Sequence, residues 1–226
     1  MKLSIIIPVF NEEATVSEII ARVLAVDLAD EVILVDDGSI DDTAAMLAKV
    51  QSEKVQVITH PHNLGKGAAV RSGIQAAHGE LILIQDGDLE YDPRDIPALL
   101  KPIHEGIADV VYGSRFLGGP RRPTMYWHMV ANKLLTFFTN ILYNNILTDM
   151  ETGYKLFRRE ILTDIRIRSN SFDFEPEITA KLLKRRARIY EVPISFNPRD
   201  YADGKKIGLK DAFAALWALL KFRFVD

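Results

Sequence analysis

The chain has 226 residues, 48% of them hydrophobic, a formal net charge of −3 and no cysteine. That length can bury one sizeable core, and the lack of thiols excludes disulfides and thiolate metal sites and fits a reducing compartment. The first 120 residues carry 19 acidic against 9 basic side chains, while the last 46 carry 11 basic against 5 acidic. A pI near 6.0, with the basic groups on one short tail, makes nucleic acid a poor partner.

In chain order, "MKLSIIIPVF" breaks at Pro8 and has no small-residue cleavage site, so it reads as a strand and not as a leader. "LSIIIPV", "EVILVDD", "VQVITH" and "ELILIQD" are β-branched-rich runs of strand length. Helical patterns over Glu12–Val26, Asp41–Val50 and Lys66–Ala77 separate them, with Asn11 and Ser39–Asp41 as expected N-caps. Asp92 before Pro93 opens a helix to Ile103, and "DVVYGSR" is a further strand. Thr124–Leu147 is a long aromatic-rich helical pattern with Leu134, Phe138, Ile141 and Leu142 on one stripe. Tyr154–Ile161 reads as the next helix, with Asp149 and Glu151 as helix-start caps unless they act on an acceptor. "FEPEITAKLLKRRA", "RIYEVPISF" and the loop "NPRDYADGKKIG" precede a last apolar helix, "LKDAFAALWALLKFRFVD". That helix is shorter than a membrane span, and Lys210, Lys221 and Arg223 flank it. It fits either a membrane interface or packing on protein. The expected class is α/β, a mostly parallel sheet with helices on both faces and an amphipathic C-terminal helix.

Open parallel sheets bind ligands at the carboxyl ends of their strands. Three strands here end in Pro8–Glu13, Asp36–Ser39 and Asp86–Asp88, so their acids would share one cleft. Crowded carboxylates repel, and a hard divalent cation with oxygen ligands removes that cost. Competing motifs fail. The EF-hand register puts Tyr91 and Pro97 where Gly and Glu are needed, and "NLGKGAA" lacks the Ser or Thr and the upstream Gly of a P-loop. The five histidines show no ligand spacing, and Ser39, Ser72 and Ser114 have no His–Asp pattern near them. A receiver-like regulatory domain lacks its late Lys, and a phosphatase "DGD" would stand near the chain start.

"IIIPVFNEE", "ILVDDGSIDDT", "HNLGKGAAVRSGI", "GELILIQDGDLEYDP", "VVYGSRF" and "DMETGYKLFRRE" together resemble the inverting family 2 glycosyltransferases of GT-A, Rossmann-like fold. They look most like the dolichyl- or polyprenyl-phosphate sugar synthase branch. The resemblance implies a GT-A domain over 1–200 and a basic loop with an amphipathic helix over 201–226. It implies a nucleotide-sugar donor, GDP-mannose or UDP-glucose, with Mg²⁺ or Mn²⁺ and a polyprenyl-phosphate acceptor; a hydroxyl acceptor is the alternative. Pro8, Phe10 and Glu12, with Val35, Asp36 and Asp37, would border the nucleotide. Asp86, Gly87 and Asp88 would form the D-x-D segment, with Asp86, Asp88 and Glu90 on the metal. Arg115 would face phosphate oxygens, and Arg199, Lys205 and Lys206 would neutralise the diphosphate or the acceptor phosphate. Asp88, Arg115 and Asp149 would carry catalysis, Asp149 near the acceptor ahead of Glu151. The implied location is cytoplasmic, with peripheral contact at the cytoplasmic face of the membrane. Gly87 stands where Ala is usual, and Phe10 where Tyr is common.

Overall fold

A computed structural model describes residues 1–123, 125–199 and 209–225. Seven strands form one sheet: β1 Leu3–Val9, β2 Glu31–Asp36, β3 Val55–Thr59, β4 Leu81–Ile84, β5 Val110–Ser114, β6 Lys155–Arg158 and β7 Ile189–Pro193. Their order is β3-β2-β1-β4-β6-β5-β7. All pairings are parallel except those of β6, which runs antiparallel to both β4 and β5. The period-2 alternation of the central strands sorts their side chains between two cores. Ile5, Ile7, Val32, Leu34, Leu81 and Leu83 pack on one face. Ile6, Ile33, Val35, Ile82 and Ile84 pack on the other.

The first face is covered by α1 Val16–Val26, α2 Thr43–Leu47 and α4 Ile96–His104, the last preceded by a 3₁₀ turn at Pro93–Asp95. The second carries α3 Lys66–Ala76, α5 Tyr126–Tyr143, α6 Arg159–Leu162, α7 Phe174–Lys184 and α8 Leu209–Phe224. Asp92 starts its helix as read, its carboxylate accepting from the Arg94 N–H at 2.9 Å.

Two expectations are corrected. The Tyr154–Ile161 segment is not one helix: it is β6 followed by the short α6. Tyr154 and Leu156 face one core and Phe157 the other, which is strand alternation. Asn11 does not cap α1. Its backbone has φ 52°, its N–H donates to Ser39 Oγ at 3.0 Å, and its Oδ1 accepts from the Ile40 N–H at 2.9 Å. It thereby stitches the β1 and β2 loops together. The apolar stripe of α5 points outward for the most part: Leu134 and Ile141 are 52% and 61% exposed, whereas Asn132, Thr136 and Thr139 are buried.

The C-terminal helix α8 packs on α5 and α7. Its Ala215 and Leu219 join the second core, and Tyr143 OH donates to the Leu219 carbonyl at 2.8 Å. Phe213, Trp217 and Phe224 remain exposed on its outer side.

Candidate active site

Because β2, β1 and β4 are parallel neighbours, their carboxyl ends share one edge of the sheet. That edge receives Phe10–Glu12 from β1, Asp36–Asp37 from β2 and Asp86–Asp88 from β4. The reversed β6 brings its amino end there, and with it Asp149–Gly153. β5 adds Arg115, and the segment after β7 adds Arg199. Gly153 is required by closeness: a Cβ there would stand 2.2 Å from Asp86 Oδ2.

Most acids on this edge are answered by a cation or by backbone N–H groups. Lys66, the first residue of α3, places Nζ 2.8 Å from Asp86 and 2.9 Å from Glu175. Burial opposes its charge, but the two carboxylates outweigh burial and hold the ammonium well above its usual range. Arg199 donates from Nη1 to Glu12 at 2.9 Å and from Nη2 to Glu12 at 3.2 Å and Asp88 at 3.0 Å. Even so, burial, and then the charges of Asp86 and Glu90, push the Asp88 carboxyl up to about 7. Glu90 Oε1 accepts from the Arg199 N–H at 2.8 Å.

Asp86, Asp88 and Glu90, expected as a three-ligand set, therefore turn to Lys66, to Arg199 and to the Arg199 backbone. Among the described residues no three acidic or imidazole groups are arranged to hold an ion. Two carboxylates of one D-x-D, completed by substrate phosphates, still suit a Mg²⁺-type cation.

Asp149 is fully buried. Its Oδ2 accepts from Arg115 Nε at 2.7 Å and from the Arg115 N–H at 3.0 Å; its Oδ1 accepts from Arg115 Nη2 at 2.7 Å and Asn132 Nδ2 at 3.0 Å. Both oxygens are thus committed, and the pair orients Arg115, whose guanidinium also lies 5.2 Å from the Phe196 ring centroid.

Glu151 differs: its Oε1 is buried without a hydrogen-bond partner. Burial, and next the charge of Glu175, push it up to about 8. The unfolded chain releases that proton near its ordinary value of 4.5. Between about pH 5 and pH 8 the native state therefore binds more protons than the unfolded one, and stability falls as pH rises. Lys155, pushed down to about 8 by burial, stays protonated in both states below that pH and adds no slope there. Glu151→Gln should flatten the decline of melting temperature across this window; an unchanged slope would remove Glu151 as its source.

Asp36 accepts from the Ser39 N–H at 3.0 Å. Asp37 accepts from the Leu64 and Gly65 N–H groups at 2.9 and 2.7 Å and pairs with His60 Nδ1 at 2.7 Å. His60 Nε2 lies 2.9 Å from Ser72 Oγ. The expectation that Ser72 has no His–Asp pattern near it is thus corrected, since the sheet brings distant residues together. The relay ties β2 and β3 to α3 and hence to Lys66. Val35 is corrected as a nucleotide-bordering side chain: it is fully buried in the second core. Pro8 and Phe10 are half-buried at the edge, and Gly87 packs against Val9. Lys205 and Lys206 lie outside the described residues. Sequence reasoning missed Glu175, which looked like an ordinary acid in the first turn of a helix.

A model of the glycosyl transferase family 2 matches residues 4–166. The chain belongs to that family. Relatives similar to it include a dodecaprenyl-phosphate galacturonate synthase of Rhizobium johnstonii, 27% identical over 99% of this chain and 67% of the relative. Another is a polyprenol monophosphomannose synthase of Mycolicibacterium smegmatis, 29% identical over 90% of this chain and 80% of the relative. A third is an undecaprenyl-phosphate 4-deoxy-4-formamido-L-arabinose transferase of Salmonella paratyphi A, 30% identical over 90% of this chain and 62% of the relative. The fold matches a glucosyl-3-phosphoglycerate synthase from Mycobacterium tuberculosis, solved with Mn²⁺, UDP-glucose and phosphoglyceric acid. The TM-score is 0.80 at 21% identity, covering 100% of this chain and 80% of that one. This family 2 chain is a glycosyltransferase of GT-A fold.

Proposed function

We propose that the chain moves a sugar from a nucleoside diphosphate, with Mg²⁺ or Mn²⁺, to a phosphate-bearing lipid of the polyprenyl type. Residues 1–200 serve as the transferase domain, and 201–226 as an extension that helps to meet the acceptor. The observation that carries the acceptor is the state of Asp149. With four donors on its two oxygens, it has no lone pair placed to take a proton from a hydroxyl. A lipid phosphate is already anionic near neutral pH and needs no base. Three curated relatives named for polyprenyl-phosphate sugars support the same reading.

In this reading Glu12, Asp36 and Asp37 receive the nucleotide, and Asp86 and Asp88 face the diphosphate with the ion. A divalent ion there supplies positive charge to the leaving diphosphate. Arg115, oriented by Asp149, and Arg199 face phosphate oxygens and stabilise charge that grows as the nucleotide departs. The outward aromatic faces of α5 and α8, with Tyr126, Trp127, Phe213, Trp217 and Phe224 all exposed, support peripheral contact with a membrane carrying the acceptor. No helix among the described residues is long and apolar enough to cross a membrane.

A hydroxyl acceptor is the second reading. Glu151 favours it: a carboxyl whose proton leaves near pH 8 suits general-base catalysis, and its Oε1 is unpartnered. The fold neighbours solved with phosphoglyceric acid point the same way. A single assay separates the two. GDP- and UDP-sugars are offered with Mn²⁺ to polyprenyl phosphate in vesicles and, in parallel, to phosphoglycerate in solution. Transfer to the lipid, with a rate flat above about pH 6, supports the first reading. Transfer only to the soluble hydroxyl, abolished by Glu151→Gln, overturns it.

A further inference from the structure

We propose that Arg199 is a resident counter-cation of the donor site, exchanged for a divalent ion when a nucleoside diphosphate binds. The inference rests on the nucleotide-sugar reading above and adds a competition inside it. Four carboxylates, from Glu12, Asp86, Asp88 and Glu90, stand at the carboxyl ends of β1 and β4, and among the described residues Lys66 and Arg199 bring positive charge to that cluster. Lys66 is built in: it opens α3, and Glu175 grips it from α7 at 2.9 Å as firmly as Asp86 does at 2.8 Å. Arg199 comes from the segment after β7. Its guanidinium bridges Glu12 and Asp88, and its N–H serves Glu90. The Asn197 N–H also donates to the Glu90 carbonyl, at 3.0 Å.

Two observations mark Arg199 as the exchangeable cation. First, its Nε is buried without a hydrogen-bond partner, so its present seat leaves one donor unsatisfied. Second, its partner atoms are those a cation at the D-x-D would need. Asp88 Oδ2 lies 3.0 Å from Nη2, whereas an ion would sit ~2.1 Å from a carboxylate oxygen. Two positive groups on that one oxygen repel each other, so occupancy by one disfavours the other.

The two cations differ in what displacement gives back. An ion arriving alone strands the guanidinium. An ion arriving with a diphosphate brings phosphate oxygens that match the planar fork of Arg199. Ion and nucleotide therefore favour each other's binding, and the apparent affinity for the ion alone is lowered by the small fraction of molecules with Arg199 displaced.

Calorimetry on the full chain tests this with Mn²⁺ alone, GDP or UDP alone, and the pairs, for wild type, Arg199→Ala and Arg199→Lys. Thermal melts verify that each variant is folded. For wild type, Mn²⁺ should bind at least about tenfold more tightly with nucleotide than without. Arg199→Ala should bind Mn²⁺ alone about tenfold or more tightly than wild type, with most of that coupling gone. Arg199→Lys, which keeps the charge, should stay nearer wild type. If wild type shows the coupling but Arg199→Ala binds Mn²⁺ no more tightly, the exchange is overturned while the donor reading stands. If wild type binds no nucleotide with any ion, the donor reading falls and the exchange falls with it.

Discussion

Asp149→Ala should cost about 3–5 kcal/mol of folding stability, the penalty for removing one partner of a buried ion pair. For a domain of this size that is a drop of roughly 6–20 °C in melting temperature. The cost is high because Asp149 sits at the junction of three elements. Arg115 follows β5, Asn132 reaches in from α5, and Glu191 on β7 accepts from the Thr148 and Asp149 N–H groups at 2.9 and 3.1 Å. Without the carboxylate, the Arg115 charge keeps little access to water, its side chain being 15% exposed. The amide of Asn132 loses its acceptor as well. The double variant Asp149→Leu/Arg115→Met separates structure from chemistry. Replacing both charges with apolar groups should recover most of the stability but none of the transfer, because in the proposed reading Arg115 faces the diphosphate. A single variant melting within about 2 °C of wild type would show that Arg115 finds water on its own and that the pair does not hold this edge together.

The parallel half of the fold is legible in the sequence because physics there is local. β1, β2 and β4 are runs of Val, Ile and Leu buried on both faces, and only strands between two helix layers read that way. Their acids then fall on one edge from the strand order alone. What could not be read depends on distant partners. In β6 four residues are too few to tell alternation from helical spacing, and its reversed direction, which delivers Asp149–Gly153 to the site, leaves no local mark. The stripe of α5 was legible as a stripe, but its direction was not. Apolar residues normally face inward, yet here Asn132 and Thr136 are buried to serve Asp149 and the Met150 N–H. Glu151 and Glu175 look like surface acids in sequence. They are buried because Lys66 and Lys155 are buried beside them. The His60–Asp37 bond joins residues 23 apart, through the pairing of β2 with β3.

Asp88 should show opposite effects on activity and on stability. Asp88→Ala should lower metal-dependent transfer by on the order of 10²-fold or more, the scale for losing one group that stabilises transition-state charge. Asp88→Asn, of nearly the same shape, should lose activity comparably, since an amide is a poor ligand for a hard cation beside a diphosphate. Stability should move the other way. Burial, with Asp86 and Glu90 close by, makes the charged form of Asp88 costly in the native state. Removing that charge relieves the crowding. Arg199 is not stranded, because Glu12 still holds two of its nitrogens at 2.9 and 3.2 Å. At pH 8 and without added metal, Asp88→Asn should therefore melt above wild type, and added Mn²⁺ with nucleotide should raise wild type and leave the variant unmoved. A residue kept for structure would lose stability on substitution; one kept for function at a structural cost gains it. Undiminished wild-type transfer in excess EDTA would end the metal assignment, and a variant that melts lower than wild type would mean that Asp88 serves the fold through Arg199 more than it serves the reaction.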